Sequence, residues 1–213
     1  MKYVKTLGLA AVAAVALLAF VASSASATVL CKVNTETEMC SEANEYGSNQ
    51  EIHAVLTAGK VVKLATAFKT LECKKSTIKG KIAEGWTGST TQTVTGPVEV
   101  LTLGECNCEF IVLKTGTFEI HADPVNGVDT DNGVLTSSGT EITESCSTIF
   151  GKVHCILVTE ATTLGTLTGG NPAEIDANAN MPRKPTDELC AGEAKLTAEY
   201  EITTPKPLYV STG

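Results

Sequence analysis

Beyond residue 27 the apolar residues of this chain recur at every second position, and the 3.6-residue period of an amphipathic helix is nearly absent. The run EAKLTAEYEIT sets Ala194, Leu196, Ala198, Tyr200 and Ile202 against Glu193, Lys195, Thr197, Glu199 and Glu201. A strand of that kind has one buried and one wet face. GTFEIHA repeats the pattern, with Phe118, Ile120 and Ala122 facing in and Thr117, Glu119 and His121 facing out. Further strands are predicted in EIHAVLT from Glu51, KVVKLATAF from Lys60, TLECKK from Thr70, TQTVT from Thr91, VEVLTL from Val98, EFIVLK from Glu109 and VHCILV from Val153. EFIVLK is apolar on both faces and is expected in the middle of a sheet covered on both sides.

Glycine and asparagine tolerate positive φ, so Ala58-Gly59, Asn126-Gly127, Asn132-Gly133 and Ser138-Gly139 are places where the chain can reverse. The Thr-rich stretches STTQTVTG and TTLGTLTGG suit exposed strands. By contrast GGNPAEIDANANMPRKPTDELC is rich in Gly, Pro, Asn and Asp and reads as a long loop pinned by Cys190. Short strands with frequent turn signals predict an all-β chain, an antiparallel β-sandwich or open barrel. With no repeat or linker in view, residues 28–213 form a single β-rich domain.

The first 27 residues change the picture of where that domain works. Lys2 and Lys5 precede an unbroken apolar run from Leu7 to Ala22, and Ala25-Ser26-Ala27 supplies small residues for cleavage. Residues 1–27 therefore read as a signal peptide with an apolar helical segment shorter than the roughly 20 residues of a membrane span. Leu30 before Cys31 disfavours lipoprotein processing, and the expected product is secreted, extracellular or loosely envelope-associated, without stable membrane insertion. Residues 1–27 hold two of the 16 basic and none of the 24 acidic residues, leaving 14 against 24 and a formal charge of −10. Nucleic acid is an unlikely match for that balance. Lys60, Lys63, Lys69, Lys74, Lys75, Lys79 and Lys81 do gather in one region. They read as a solvated sheet face, or as a surface holding an acidic polymer.

Eight cysteines follow residue 27: Cys31, Cys40, Cys73, Cys106, Cys108, Cys146, Cys155 and Cys190. An even number in an exported chain predicts structural disulfides. Cys106 and Cys108 form the sequence CNC. On a strand their Cα atoms would stand roughly 6.5 Å apart, near the upper limit for a disulfide, so each is expected to bond a different partner. Short separations suggest Cys31 with Cys40 and Cys146 with Cys155, which leaves Cys73 and Cys190 for Cys106 and Cys108. Neither the C-x-x-C of a redox site nor the paired clusters of a zinc site is visible.

Catalytic signals are weak. His53, His121 and His154 fall in alternating strands, and no G-x-S-x-G elbow is present, so no catalytic residue is assigned. Asp123, Asp129 and Asp131 lie in one loop region where oxygen ligands could gather around calcium, without the spacing of an EF-hand. Turn preferences of Asp and Asn explain the same residues. Trp86, the one tryptophan, is expected in the core. No cofactor is indicated.

ATVLCKVNTETEMC, GTFEIHADPVNG, GVLTSSGTEIT and AEYEITTPKPLYV together resemble a family of uncharacterised secreted, cysteine-containing β-rich proteins of actinobacteria. The resemblance covers nearly the whole chain beyond residue 27. It implies a shared scaffold of cysteines, Gly-Thr turns and a final Tyr-containing strand, and it brings no reaction or catalytic residue with it. Relatives often carry Trp where this chain has Leu196. The expected role is a non-catalytic binding or structural component at or outside the cell envelope, with an extracellular polymer or protein as partner. The alternatives are an extracellular hydrolase or metal-dependent enzyme, and a calcium-stabilised adhesive module.

Overall fold

The computed structural model describes residues 27–35, 40–66, 69–88, 93–125, 128–148, 151–184, 190 and 192–212. Residues 1–26 of the predicted signal segment, the Asn126-Gly127 turn, Ala67 and Phe68 of KVVKLATAF, and Thr91 and Gln92 of TQTVT lie outside them. Side-chain alternation is realised as antiparallel strands, in chain order β1 (Thr28–Cys31), β2 (Glu51–Leu56), β3 (Val62–Ala65), β4 (Thr70–Lys81), β5 (Val94–Cys106), β6 (Glu109–Lys114) and β7 (Thr117–Ala122). There follow β8 (Gly133–Ser138), β9 (Glu141–Thr148), β10 (Gly151–Val158), β11 (Thr162–Thr168), β12 (Ala173–Lys184), β13 (Glu193–Thr204) and β14 (Tyr209–Thr212).

Strand pairing runs β2–β4–β5–β7–β8–β11–β12–β13 and returns from β13 to β2, so eight strands close a barrel. A closed barrel replaces the expected sandwich or open barrel. Closure follows from β13, which pairs β12 on one edge over ten residues and offers the other edge to β2 at Tyr200–Thr204 and to β3 at Lys195–Thr197. With the first and last strands joined, no open sheet edge is left there to attract another chain.

Several strands are halves of longer ones. β2 and β3 lie end to end along β4, interrupted at Thr57–Val61 by the expected Ala58-Gly59 turn, where Gly59 has φ +79°. β6 continues into β7 through Thr115-Gly116, β8 into β9 through Gly139-Thr140, and β10 into β11 through Thr159-Glu160-Ala161. Ser138-Gly139 was expected to reverse the chain, but it kinks it instead. Hydroxyl groups stitch the three neighbouring kinks together. Thr140 Oγ1 donates to Thr115 O at 2.8 Å, Thr140 N donates to Thr159 Oγ1 at 2.9 Å, and Ser137 Oγ lies 3.0 and 3.2 Å from the hydroxyls of Thr140 and Thr159. These contacts satisfy groups that a straight ladder would otherwise have paired.

β12 is the largest departure from the sequence reading, because AEIDANANMPRK is a twelve-residue strand and not a loop. Ala173, Ile175, Ala177, Ala179 and Met181 are buried, while Glu174, Asp176, Asn178 and Asn180 are exposed. Asn, Asp and Ala are poor strand formers, yet β-propensity yields to context. Partners on both edges supply the context here. The small inward side chains also keep the lumen from filling.

One barrel end is plugged by the β1–β14 ribbon, with Val29, Leu30, Leu208 and Val210 fully buried. Trp86 joins this cluster as expected, and its indole donates to Thr93 O at 3.0 Å. A second cluster, including Leu64, Leu71, Cys146, Leu157, Met181 and Ala194, fills the other end. Gly116 is the tightest point of the kinks: its φ is +72°, and a Cβ there would stand 2.3 Å from Ser138 O and 2.6 Å from Thr140 N. Gly116→Ala is therefore expected to lower unfolding free energy by about 2–4 kcal/mol, from strain plus overlap. Urea denaturation, compared with the same change at open Gly47, checks it.

Candidate functional site

The interior between the two end clusters holds a cavity of about 160 Å³. Its wall is almost wholly apolar, built from inward positions of every barrel strand: Ala54, Ile78, Leu101, Leu103, Phe118, Ile120, Leu135, Leu167, Ala177, Tyr200 and Ile202 are among them. Its few polar groups already have partners. Ser137, Thr140 and Thr159 belong to the kink network, and the Tyr200 hydroxyl lies 2.9 Å from Ser76 Oγ. Burial pushes the Tyr200 phenol above its ordinary pKa, so it stays neutral. No charged side chain lines the space. An apolar cavity of this size stays dry and accepts hydrocarbon.

Shape narrows what fits. Along β12 the lining runs from Ile175 to Met181, and along β13 from Leu196 to Ile202. Six residues span about 20 Å along a strand, or about 15 Å along the axis at the usual barrel tilt. The lined space thus extends along the barrel axis.

The wall is interrupted on one side. Backbone pairing between β5 and β7 covers Val94–Pro97, and Val98 N donates to Gly116 O at 3.0 Å. From Glu99 to Cys106 no backbone hydrogen bond joins β5 to β6 among the described residues. β5 stays with β4 and β6 stays with β9, so the two strands diverge as the lips of a slot. EFIVLK is thus no central strand: Phe110 and Val112 turn inward, but Ile111 and Leu113 are 49 % and 52 % exposed on the lip, with Val100 at 38 % opposite. The two-sided apolar pattern marked an edge.

Cys106 and Cys108 sit where the lips meet, and they do bond different partners. Cys106 joins Cys73 on β4, and Cys108 joins Cys146 on β9. Each lip is thereby tied away from the other. Asn107 between them accepts from Glu72 N at 3.0 Å and donates through its own backbone to Glu72 O at 3.0 Å. The short bridge Cys31–Cys40 is present as expected. Cys146–Cys155 is not, and Cys190 bonds Cys155 instead of Cys106 or Cys108. Register explains the exchange: β9–β10 pairing places Cys155 opposite Glu144 and Cys146 opposite Val153, while β6–β9 pairing brings Cys108 alongside Cys146. All eight cysteines are bonded.

The other candidates disperse. Asp129 accepts from Thr212 N at 2.9 Å and from Ser211 Oγ, and Asp131 Oδ1 accepts from Thr35 N and Thr35 Oγ1, both at 2.8 Å. These two aspartates anchor the plug, whereas Asp123 is exposed. Among the described residues no three His, Cys, Asp or Glu side chains come together as a metal site. His53 Nδ1 lies 3.2 Å from Thr203 Oγ1, His121 meets Glu119, and His154 Nδ1 lies 2.6 Å from Ser145 Oγ, each on its own part of the surface. In the lysine-rich region Lys60, Lys63, Lys75 and Lys81 form ion pairs with Glu199, Glu72, Glu105 and Glu99. Much of that positive charge is neutralised in place. Compared with protein-family models, curated proteins and solved structures, the chain matches none.

One polar pair is buried at the disulfide end: Arg183 and Glu144, with side chains 4 % and 5 % exposed. Glu144 Oε2 lacks a hydrogen-bond partner, and burial raises the carboxyl pKa despite the neighbouring guanidinium. Its folded pKa lies above the unfolded one, so its contribution favours the fold at low pH and is lost as pH rises through the folded value. Arg183→Met is expected to cost about 3–5 kcal/mol at neutral pH by stranding a buried carboxylate. That cost shrinks as Glu144 protonates, and replacing both residues by Met restores stability to within about 1–2 kcal/mol of the native chain. Denaturation of the three proteins at two pH values measures it.

Proposed function

We propose that the protein is an exported, non-catalytic carrier or scavenger that holds an unbranched apolar chain inside its barrel. The observation that carries this reading is the uncharged, almost wholly apolar cavity inside the barrel. Barrels of eight strands have an interior just wide enough to be filled by side chains or to hold one small ligand. Here Ala54 and Ala177 stand where larger side chains would have filled it. Four disulfides and no free thiol support work in an oxidising compartment, in keeping with the signal segment read from the sequence.

The energetics suit a reversible binder. Burying roughly eight methylenes at about 0.8 kcal/mol each yields about 6 kcal/mol, less the cost of ordering the chain. Dissociation constants from about tens of micromolar to millimolar follow. Without a charge in the wall, selectivity rests on chain length and width, and not on a particular head group.

Titration of the delipidated protein with unbranched fatty acids, read by native mass spectrometry and by displacement of cis-parinaric acid, is expected to show one ligand per barrel. Affinity should fall once the chain outgrows the cavity. Ala177→Leu and, separately, Leu135→Phe fill the lumen from two positions that flank Gly165 on neighbouring sides of the wall and are expected to weaken binding about tenfold or more. If the native chain takes up no linear amphiphile, or if neither folded variant changes its affinity, the reading is wrong.

A further inference from the structure

We propose that the slot between β5 and β6 is the portal through which the tail of a single-chain amphiphile enters and leaves the cavity, its head group remaining outside. This rests on the cavity reading above. Buried side chains pack at both barrel ends, those of the β1–β14 plug at one and those of the second cluster at the other, among the described residues. Leu101 and Leu103 on one lip and Thr115 at the foot of the other line the cavity. On the outside of the same lips stand Val100, Ile111 and Leu113, all exposed. A tail sliding inward therefore meets apolar side chains outside and inside the lips.

The edges themselves favour an alkyl chain over a peptide. Peptide addition to a sheet needs strand edges kept at pairing distance, and Cys73–Cys106 and Cys108–Cys146 pull these two edges towards their other neighbours. The charges along the lips are matched, Glu99 with Lys81, Glu105 with Lys75, Glu109 with Lys152 and Lys114 with Glu141. These paired groups leave the lips without a single-signed charged strip to hold an ionic head. What the lips recognise is the hydrocarbon tail, whether carried by a free fatty acid or a lysophospholipid.

A portal controls rates without setting affinity. The test is stopped-flow uptake and release of cis-parinaric acid by the native protein, by Ile111→Glu/Leu113→Glu, and by Val125→Glu/Val128→Glu. The last pair replaces two equally exposed valines, 58 % and 60 %, in a hairpin away from the slot. The lip variant is expected to slow association and dissociation together by about tenfold, as apolar landing surface is lost, with the dissociation constant within about threefold of native. The hairpin variant should keep native rates. Competition by a lysophospholipid and by a fatty acid of equal chain length separates the two tail sources. Unchanged rates in the lip variant, or equal slowing in the hairpin variant, overturn the portal while leaving the cavity reading intact. Absence of any binding to native protein overturns both.

Discussion

Backbone pairing is the constraint from which the rest of this molecule follows. An antiparallel sheet of eight strands either leaves two edges open or joins its last strand to its first, and β13 does the joining by serving β12, β2 and β3 together. Closure fixes which faces look inward, and the inward face must then be filled or left as a space. Large side chains fill both ends here, while Ala54, Ala177 and the hydroxyl-lined kinks leave the middle unfilled.

The same accounting exposes the slot. β4 to β5 and β6 to β9 are full ladders, but the neighbours β5 and β6 are not. Two strands at the end of a hairpin would ordinarily pair, since unpaired edges are costly when buried and adhesive when exposed. Here they do not, and the two sulfurs of the CNC sequence bond outward to β4 and β9. A pair of cysteines that resembles a metal or redox site is thus an architectural device at the head of an opening.

The buried Arg183–Glu144 pair belongs to the same end of the barrel, with the Arg183 guanidinium also 2.7 Å from Cys155 Sγ. An apolar pair is expected to keep stability there to within about 1–2 kcal/mol. Its position beside Cys155–Cys190 suggests a role in fixing how the last strands meet, since a misregistered β12 would carry Arg183 away from Glu144.

How much of this could be read from the chain follows from the range of each interaction. Period-2 alternation is local, so the all-β class, the inward faces of β7 and β13, the buried Trp86 and the separate partners of Cys106 and Cys108 were legible in the sequence. β12 was not, because composition alone treats Asn, Asp and Ala as loop residues, and only two flanking strands make AEIDANANMPRK extend. Nor was the position of EFIVLK, since apolar residues on both faces signal a covered strand and a lip equally. Disulfide partners depend on register, and a shift of two residues decided between Cys155 and Cys108 for Cys146. The sequence by itself determined which residues alternate and that the cysteines are cross-linked, because those properties arise within a few residues. The cavity and its slot belong to tertiary structure alone, because closure, register and the absence of a ladder are relations between strands far apart in the chain.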